Sequence, residues 1–168
     1  GDTVNLNDVE TMKLAPLNEE ADTWGVALMK VQANIPDTLP GQNVTFLLFG
    51  DVVIDNAVTD EEDGFTPMQA FYLRTGIGRP ECEEVPDDIL LVQGPEDIEV
   101  NITANGADIQ IGSTVGLRII EIDGEIFLEV IAFSGQIEFM GQILVPGQSS
   151  RACLGDEASL GQDGNAND

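Results

Sequence analysis

The chain has 168 residues, with 31 Asp and Glu against six Lys and Arg, a formal charge of −25, and no histidine. That charge repels nucleic acid and anionic membrane surfaces, and the lack of imidazole excludes Ser-His-Asp triads and histidine-based zinc sites. An apolar fraction of 42% is enough for a folded core, while no apolar run approaches the roughly 20 residues of a membrane-spanning helix, so no membrane insertion is expected.

In chain order, Asp8 to Leu14 reads as a leading strand, with a short helix as the alternative. Trp24–Ala33, Val44–Ile54 and Met68–Thr75 read as three or four strands, and Trp24 is expected to anchor the core among Val26, Leu28 and Val31. Two loops carry acid, Asp60–Gly64 before Met68–Thr75 and Glu81–Asp88 after it. Ile98, Val100 and Ile102 then alternate with Glu99, Asn101 and Thr103, the period of two of a half-buried strand. Asn105-Gly106 predicts a tight hairpin, because a type I′ turn needs positive φ at both central residues. Ile109 and Ile111 return from it, and Asp123-Gly124 joins Leu117–Ile122 to Glu125–Phe133 in the same way. Ser134-Gly135, Gly141 and Pro146-Gly147 punctuate three more short segments, the last ending near Cys153.

Short strands at this spacing predict an all-β fold, an antiparallel β-sandwich or jelly-roll-like barrel. We expect one domain over residues 1–154, with an N-terminal half (1–93) and a C-terminal half (94–154), then an acidic Gly/Asn/Asp-rich tail over 155–168.

The C-terminal half carries a distinctive cadence. The Asn-Gly hairpin leads to Ile111-Gly112-Ser113-Thr114-Val115, and the turn at Gly124 to Leu128-Glu129-Val130-Ile131; Ser134-Gly135-Gln136-Ile137 and Val145-Pro146-Gly147-Gln148 complete it. These 55 or so residues resemble a FecR-type extracytoplasmic β module. The segments around Asn43–Phe46 and Phe71–Gly76 resemble regions that precede such modules in secreted bacterial proteins. The resemblance implies a secreted or periplasmic β scaffold. It brings no catalytic residues with it, and it does not imply regulation of a sigma factor.

Cys82 and Cys153 are the only cysteines, and Cys82 lies between two glutamates, a poor setting for a reactive thiolate. We expect a disulfide between them, worth roughly 3–4 kcal/mol for a loop of about 70 residues; two free thiols are the alternative. A disulfide points outside the cytoplasm, and a start at Gly1 rather than Met is what a processed mature protein, or a chain cut for other reasons, would show.

No cofactor is required by any motif. Calcium is the one ion that the oxygen-rich composition invites, with Asp60, Glu61 and Asp63 as one candidate ligand set and Asp163, Asn165 and Asn167 as another. The plainer reading of both segments is a solvated acidic loop. Nothing singles out a pair of catalytic carboxylates, so the chain is read as no enzyme. The expected function is a secreted, non-catalytic structural module that builds an extracellular or cell-surface assembly from copies of itself, such as a filament. Val4, Leu6, Val9, Met12 and Leu14 would add as a strand to a neighbour's open edge. The alternative is a monomeric FecR-like ligand-binding or sensory module for glycan or metal.

Overall fold

A computed structural model describes residues 9–16, 18, 20–21, 23–31, 43–58, 68–76, 88–95 and 97–156. Among the described residues, thirteen strands lie in two sheets. One sheet holds β1 (Thr11–Lys13), β4 (Val52–Asn56), β5 (Ala70–Thr75), β7 (Val100–Ala104), β8 (Ala107–Ile111), β11 (Ile137–Phe139) and β12 (Gln142–Leu144), in that spatial order. The other runs β13 (Ser149–Asp156), β10 (Glu125–Ser134), β9 (Thr114–Ile122), β6 (Ile89–Gln93), β3 (Val44–Phe49) and β2 (Val26–Val31). Every pairing is antiparallel except β5 with β7.

The fold is a β-sandwich, and its sheets are not closed into a barrel. The helical alternative for residues 8–14 is not realised: three of them form β1, which hydrogen-bonds to β4 at a sheet edge. Alternation explains the layers. In β3, Val44, Phe46 and Leu48 point into the core, and in β7 Val100, Ile102 and Ala104 do so. Phe46 of one sheet and Phe71 of the other meet edge to face with centroids 5.9 Å apart and planes at 73°, a geometry worth about 1 kcal/mol beyond the area buried.

The two halves of the chain are interleaved. Residues before 94 supply β1, β4 and β5 to one sheet and β2, β3 and β6 to the other, and residues after 94 extend both. β6 is the strand that the sequence pattern missed. It sits between β3 and β9 in the middle of its sheet, and its run Ile89-Leu90-Leu91-Val92 carries no apolar–polar alternation.

The Gly-rich punctuation falls into two structural kinds. Asn105-Gly106, Asp123-Gly124 and Met140-Gly141 are hairpins within a sheet, with φ of 50° and 78°, 54° and 83°, and 50° and 73°. Gly112-Ser113 and Ser134-Gly135 instead carry the chain from one sheet to the other. These two corners touch: Gly112 N–H donates to Gln136 O at 2.9 Å, and the Ser113 and Ser134 hydroxyls are 2.7 Å apart. A Cβ on Gly112 would lie 2.7 Å from Gln136 O, so the crossing requires glycine.

One polar side chain ties the layers together, and a second extends a pairing within one sheet. Thr75 of β5 is 6% exposed, and its Oγ1 donates to Ile119 O (2.9 Å) and accepts from Ile119 N–H (3.0 Å) across the sandwich. Asn105 accepts from Leu73 N–H at 2.7 Å and donates to Leu73 O at 3.0 Å. Its amide thereby continues the short parallel contact in which β7 pairs β5 only at Ala70↔Thr103 and Phe71↔Ala104. Among the described residues, no buried side-chain nitrogen or oxygen lacks a partner.

Candidate interaction surface

The two outward faces of the sandwich differ in chemistry. The seven-stranded sheet presents Thr11, Asp55, Arg74, Thr103, Asp108 and Gln110. These are bonded to one another or to near neighbours. Asp55 accepts from Thr11 (2.7 Å) and pairs with Arg74 (3.0 Å), Thr103 donates to Asp108 (2.8 Å), and Gln110 donates to Glu99 (3.1 Å). This is the solvated face expected of an antiparallel sheet with one side on a core.

The six-stranded sheet lacks such a face. Its register sets Val26 beside Phe49 and Phe49 beside Ile89, then Leu28 beside Leu47, Leu91 and Gly116 in the next row. Ile131 pairs with Gly116, and Phe127 with Ile120. All of these alternate with core residues, so they point away from the core. At the edge, Val26 and Leu28 are 51% and 61% exposed. Phe133 is the extra residue at the irregularity between Ala132 and Ser134, and it is 51% exposed. A Cβ built on Gly116 would sit 2.4 Å from Phe133 Cε2 and 3.0 Å from Ile89 Cδ1. The missing side chain at Gly116 is therefore what lets the Phe133 ring lie down on the sheet.

Charge follows the same division. Lys30, Arg118 and Arg151, half of the six basic residues, lie on the apolar face. Of the 31 acidic residues, the described part of that face carries Glu129, and Glu125 at the tip of the β9–β10 hairpin with Asp156 opposite it in register. Glu129 is 3% exposed and sits between two cross-strand arginines, Arg118 on β9 and Arg151 on β13, the latter with a 3.1 Å ion pair. Two guanidinium groups on one carboxylate satisfy it fully, as a buried charge requires. The face thus combines apolar rows with one polar row, Lys30, Thr45, Gln93 and Thr114, and a neutralised acid on β10.

An open groove of about 770 Å³ runs from the polar face round to β13, past Asn105, Asp108, Glu138, Met140 and Cys153. Asp108 is already bonded to Thr103.

The residues singled out by the sequence fall as follows. Cys153 carries a free, exposed thiol on β13 opposite Phe127. Cys82 lies outside the described residues, so the expected bridge is not among the contacts described. Asp60, Glu61, Asp63, Asp163, Asn165 and Asn167 also lie outside them, as do Val4 and Leu6. Among the described residues, no three Cys, Asp or Glu gather as a metal would require, and no helix is long and apolar enough to cross a membrane. Val9 precedes β1, Met12 packs against the core, and Leu14 is buried with its N–H on Val52 O at 3.0 Å. Trp24 corrects an expectation: it is 40% exposed rather than a core anchor. The period that turns Ala27, Met29 and Val31 inward puts position 24 with Val26 and Leu28 in the outward set.

Comparison with known proteins adds no identity. No family model, curated protein or solved structure matches the chain. The chemistry of its surface therefore carries the functional reading.

The residues of the apolar face were not singled out from sequence, although a signal existed. Val44-Thr45-Phe46-Leu47-Leu48-Phe49 and Ile89-Leu90-Leu91-Val92 are nearly unbroken apolar runs. Such runs mark strands that are covered on both sides rather than on one.

Proposed function

We propose that this chain is a non-catalytic structural module that works by association and builds an assembly outside the cytoplasm. The observation that carries the reading is the outer face of the six-stranded sheet, where two cross-strand rows are apolar and, among the described residues, acids are few: Glu129, and Glu125 with Asp156 opposite it in register. A chain of charge −25 stays soluble with an acid-decorated surface; keeping one broad face apolar costs solubility and is useful where that face is covered. Edge strands supply a second route. β1 occupies an open edge with three residues, and a neighbour's N-terminal segment, carrying Val4, Leu6, Val9, Met12 and Leu14, could add to or replace it. Secretion enters the proposal from the FecR-like cadence of residues 94–154. Calcium enters as a counter-ion for the acidic segments around Asp60–Asp63 and Asp163–Asn167, where it would reduce repulsion between copies. The open groove beside Cys153 is what a monomeric ligand-binding module would use.

Light scattering over a range of concentrations, with and without millimolar calcium, tests the reading. Species larger than a monomer are expected. Their loss in a chain lacking residues 1–8, which keeps β1 and the buried Leu14, would assign the contact to strand addition. A monomer under every condition would leave the binding-module reading in its place.

A further inference from the structure

We infer that the apolar outer face of the six-stranded sheet is the docking surface for a second copy of this chain, stacked sheet on sheet. The inference deepens the assembly reading above and rests on it.

Three observations select a second copy as the occupant. The first is electrostatic. Two chains of charge −25 approach most easily where carboxylates are sparse, and among the described residues this face carries the paired Glu129, with Glu125 and its register partner Asp156 confined to one end. Its central acid, Glu129, is already held by Arg118 and Arg151, and Lys30 lies at its rim. A strongly basic partner would find more attractive ground on the acidic remainder of the surface. An acidic partner would meet the same −25 repulsion with fewer apolar contacts to offset it.

The second is area. Six strands spaced about 4.8 Å apart and about five residues long make a patch of about 29 by 17 Å. That is about 500 Å² per copy and about 1,000 Å² for the pair, the lower bound for a specific protein interface. The third is shape. Two neighbouring cross-strand rows of the face are apolar, Val26-Phe49-Ile89 and Leu28-Leu47-Leu91-Gly116-Ile131, and the polar row Lys30-Thr45-Gln93-Thr114 flanks them. Two copies can pack these apolar rows as the sheets already pack at about 10 Å inside each molecule. The contact would be isologous, the same patch on both copies, which closes a pair. Gly116 and the Phe133 ring lying on it sit at the centre, and Leu28 and Val26 at one side.

The test compares three single substitutions with the native full chain by light scattering and sedimentation. Leu28→Asp and Phe133→Asp place a carboxylate on the face at exposed positions, where the fold tolerates it. Tyr72→Asp places one on the opposite sheet face at an exposed position and serves as control. Circular dichroism and thermal melting verify that each variant is folded.

The native chain is expected to dimerise at micromolar concentrations, and more tightly as NaCl rises from 0.05 to 0.5 M, because salt screens the mutual repulsion. Leu28→Asp and Phe133→Asp should raise the dissociation constant at least tenfold, while Tyr72→Asp leaves it within about twofold. A native oligomer that survives both face substitutions would overturn the inference and leave assembly to another surface, such as the β1 edge. Association that weakens with salt would also overturn it, since that marks contacts between opposite charges. A native monomer at all concentrations and salts would overturn the inference and the assembly reading together.

Discussion

Replacing Thr75 by Val removes one hydroxyl and keeps the shape of the side chain. In the native chain that hydroxyl both accepts from and donates to the backbone of Ile119, at 3.0 and 2.9 Å, and the site is 6% exposed. β9 is a long strand, and the paired part of its neighbour β6 reaches only from Leu117 to Thr114. Thr75 reaches over from the other sheet and occupies the place of the next strand residue at Ile119. Valine would leave a buried N–H and a buried C=O unpaired, at about 1–3 kcal/mol each, against less than 1 kcal/mol gained from the added methyl group. We expect a net loss of about 2–4 kcal/mol. For a domain of this size that corresponds to a fall in melting temperature of roughly 5–15 °C. Urea unfolding followed by circular dichroism measures it, with the slope m expected to stay constant. Thr75→Ser is the matched control: it keeps both hydrogen bonds, loses one methyl group, and should cost about 1 kcal/mol. If Thr75→Val proved as stable as Thr75→Ser, the hydroxyl would not be joining the sheets and the argument would fail.

Three further outcomes can be checked. Asn105→Gly keeps a residue that accepts the positive φ and loses the two bonds to Leu73, so it should destabilise by about 1–2 kcal/mol in urea; Asn105→Ala should cost more, because the turn conformation is strained as well. Arg118→Met strips the buried Glu129 of one of its two guanidinium partners and should cost about 2–3 kcal/mol; Glu129→Gln leaves behind only part-exposed arginines and should cost less. Cys153 should react with a thiol reagent in the native protein without denaturant, and peptide mapping should find the label there; full protection of Cys153 under non-reducing conditions would contradict a free thiol.

Some of this architecture is legible in the chain and some is not, for physical reasons. The hairpins at Asn105-Gly106 and Asp123-Gly124 can be read directly, because few dipeptides accept two positive φ values and these do. The same logic located Ser134-Gly135 and Pro146-Gly147. It could not tell a hairpin within a sheet from a corner between sheets, since both need a small residue and differ only in what the next strand packs against. β6 escaped because Ile89–Val92 has no alternation. That lack of alternation is itself the mark of a central strand with apolar groups on both faces, and the reading of β3 contains the same clue. Read from sequence alone, Met12 and Leu14 belong to a strand added to a neighbour's edge, whereas the structure docks both on their own sheet. The ion triad of Glu129 with Arg118 and Arg151 joins three strands and has no signature in local spacing.

The interleaving of the halves bears on how this chain reaches its fold. On the ribosome, β3 and β6 emerge well before β9, yet β6 lies between β3 and β9 in the finished sheet. Until Thr114–Ile122 has been made, β6 presents an unpaired edge, and only β1, β4 and β5 of the facing sheet are at hand to cover the inward side of β3 and β6. Contacts so distant along the chain slow folding, because the loops must close before their pairings can stabilise anything. Such a nascent chain is exposed to sticking while it waits. Its dense negative charge then acts in time as well as in space, holding neighbouring nascent chains apart until the last strands arrive.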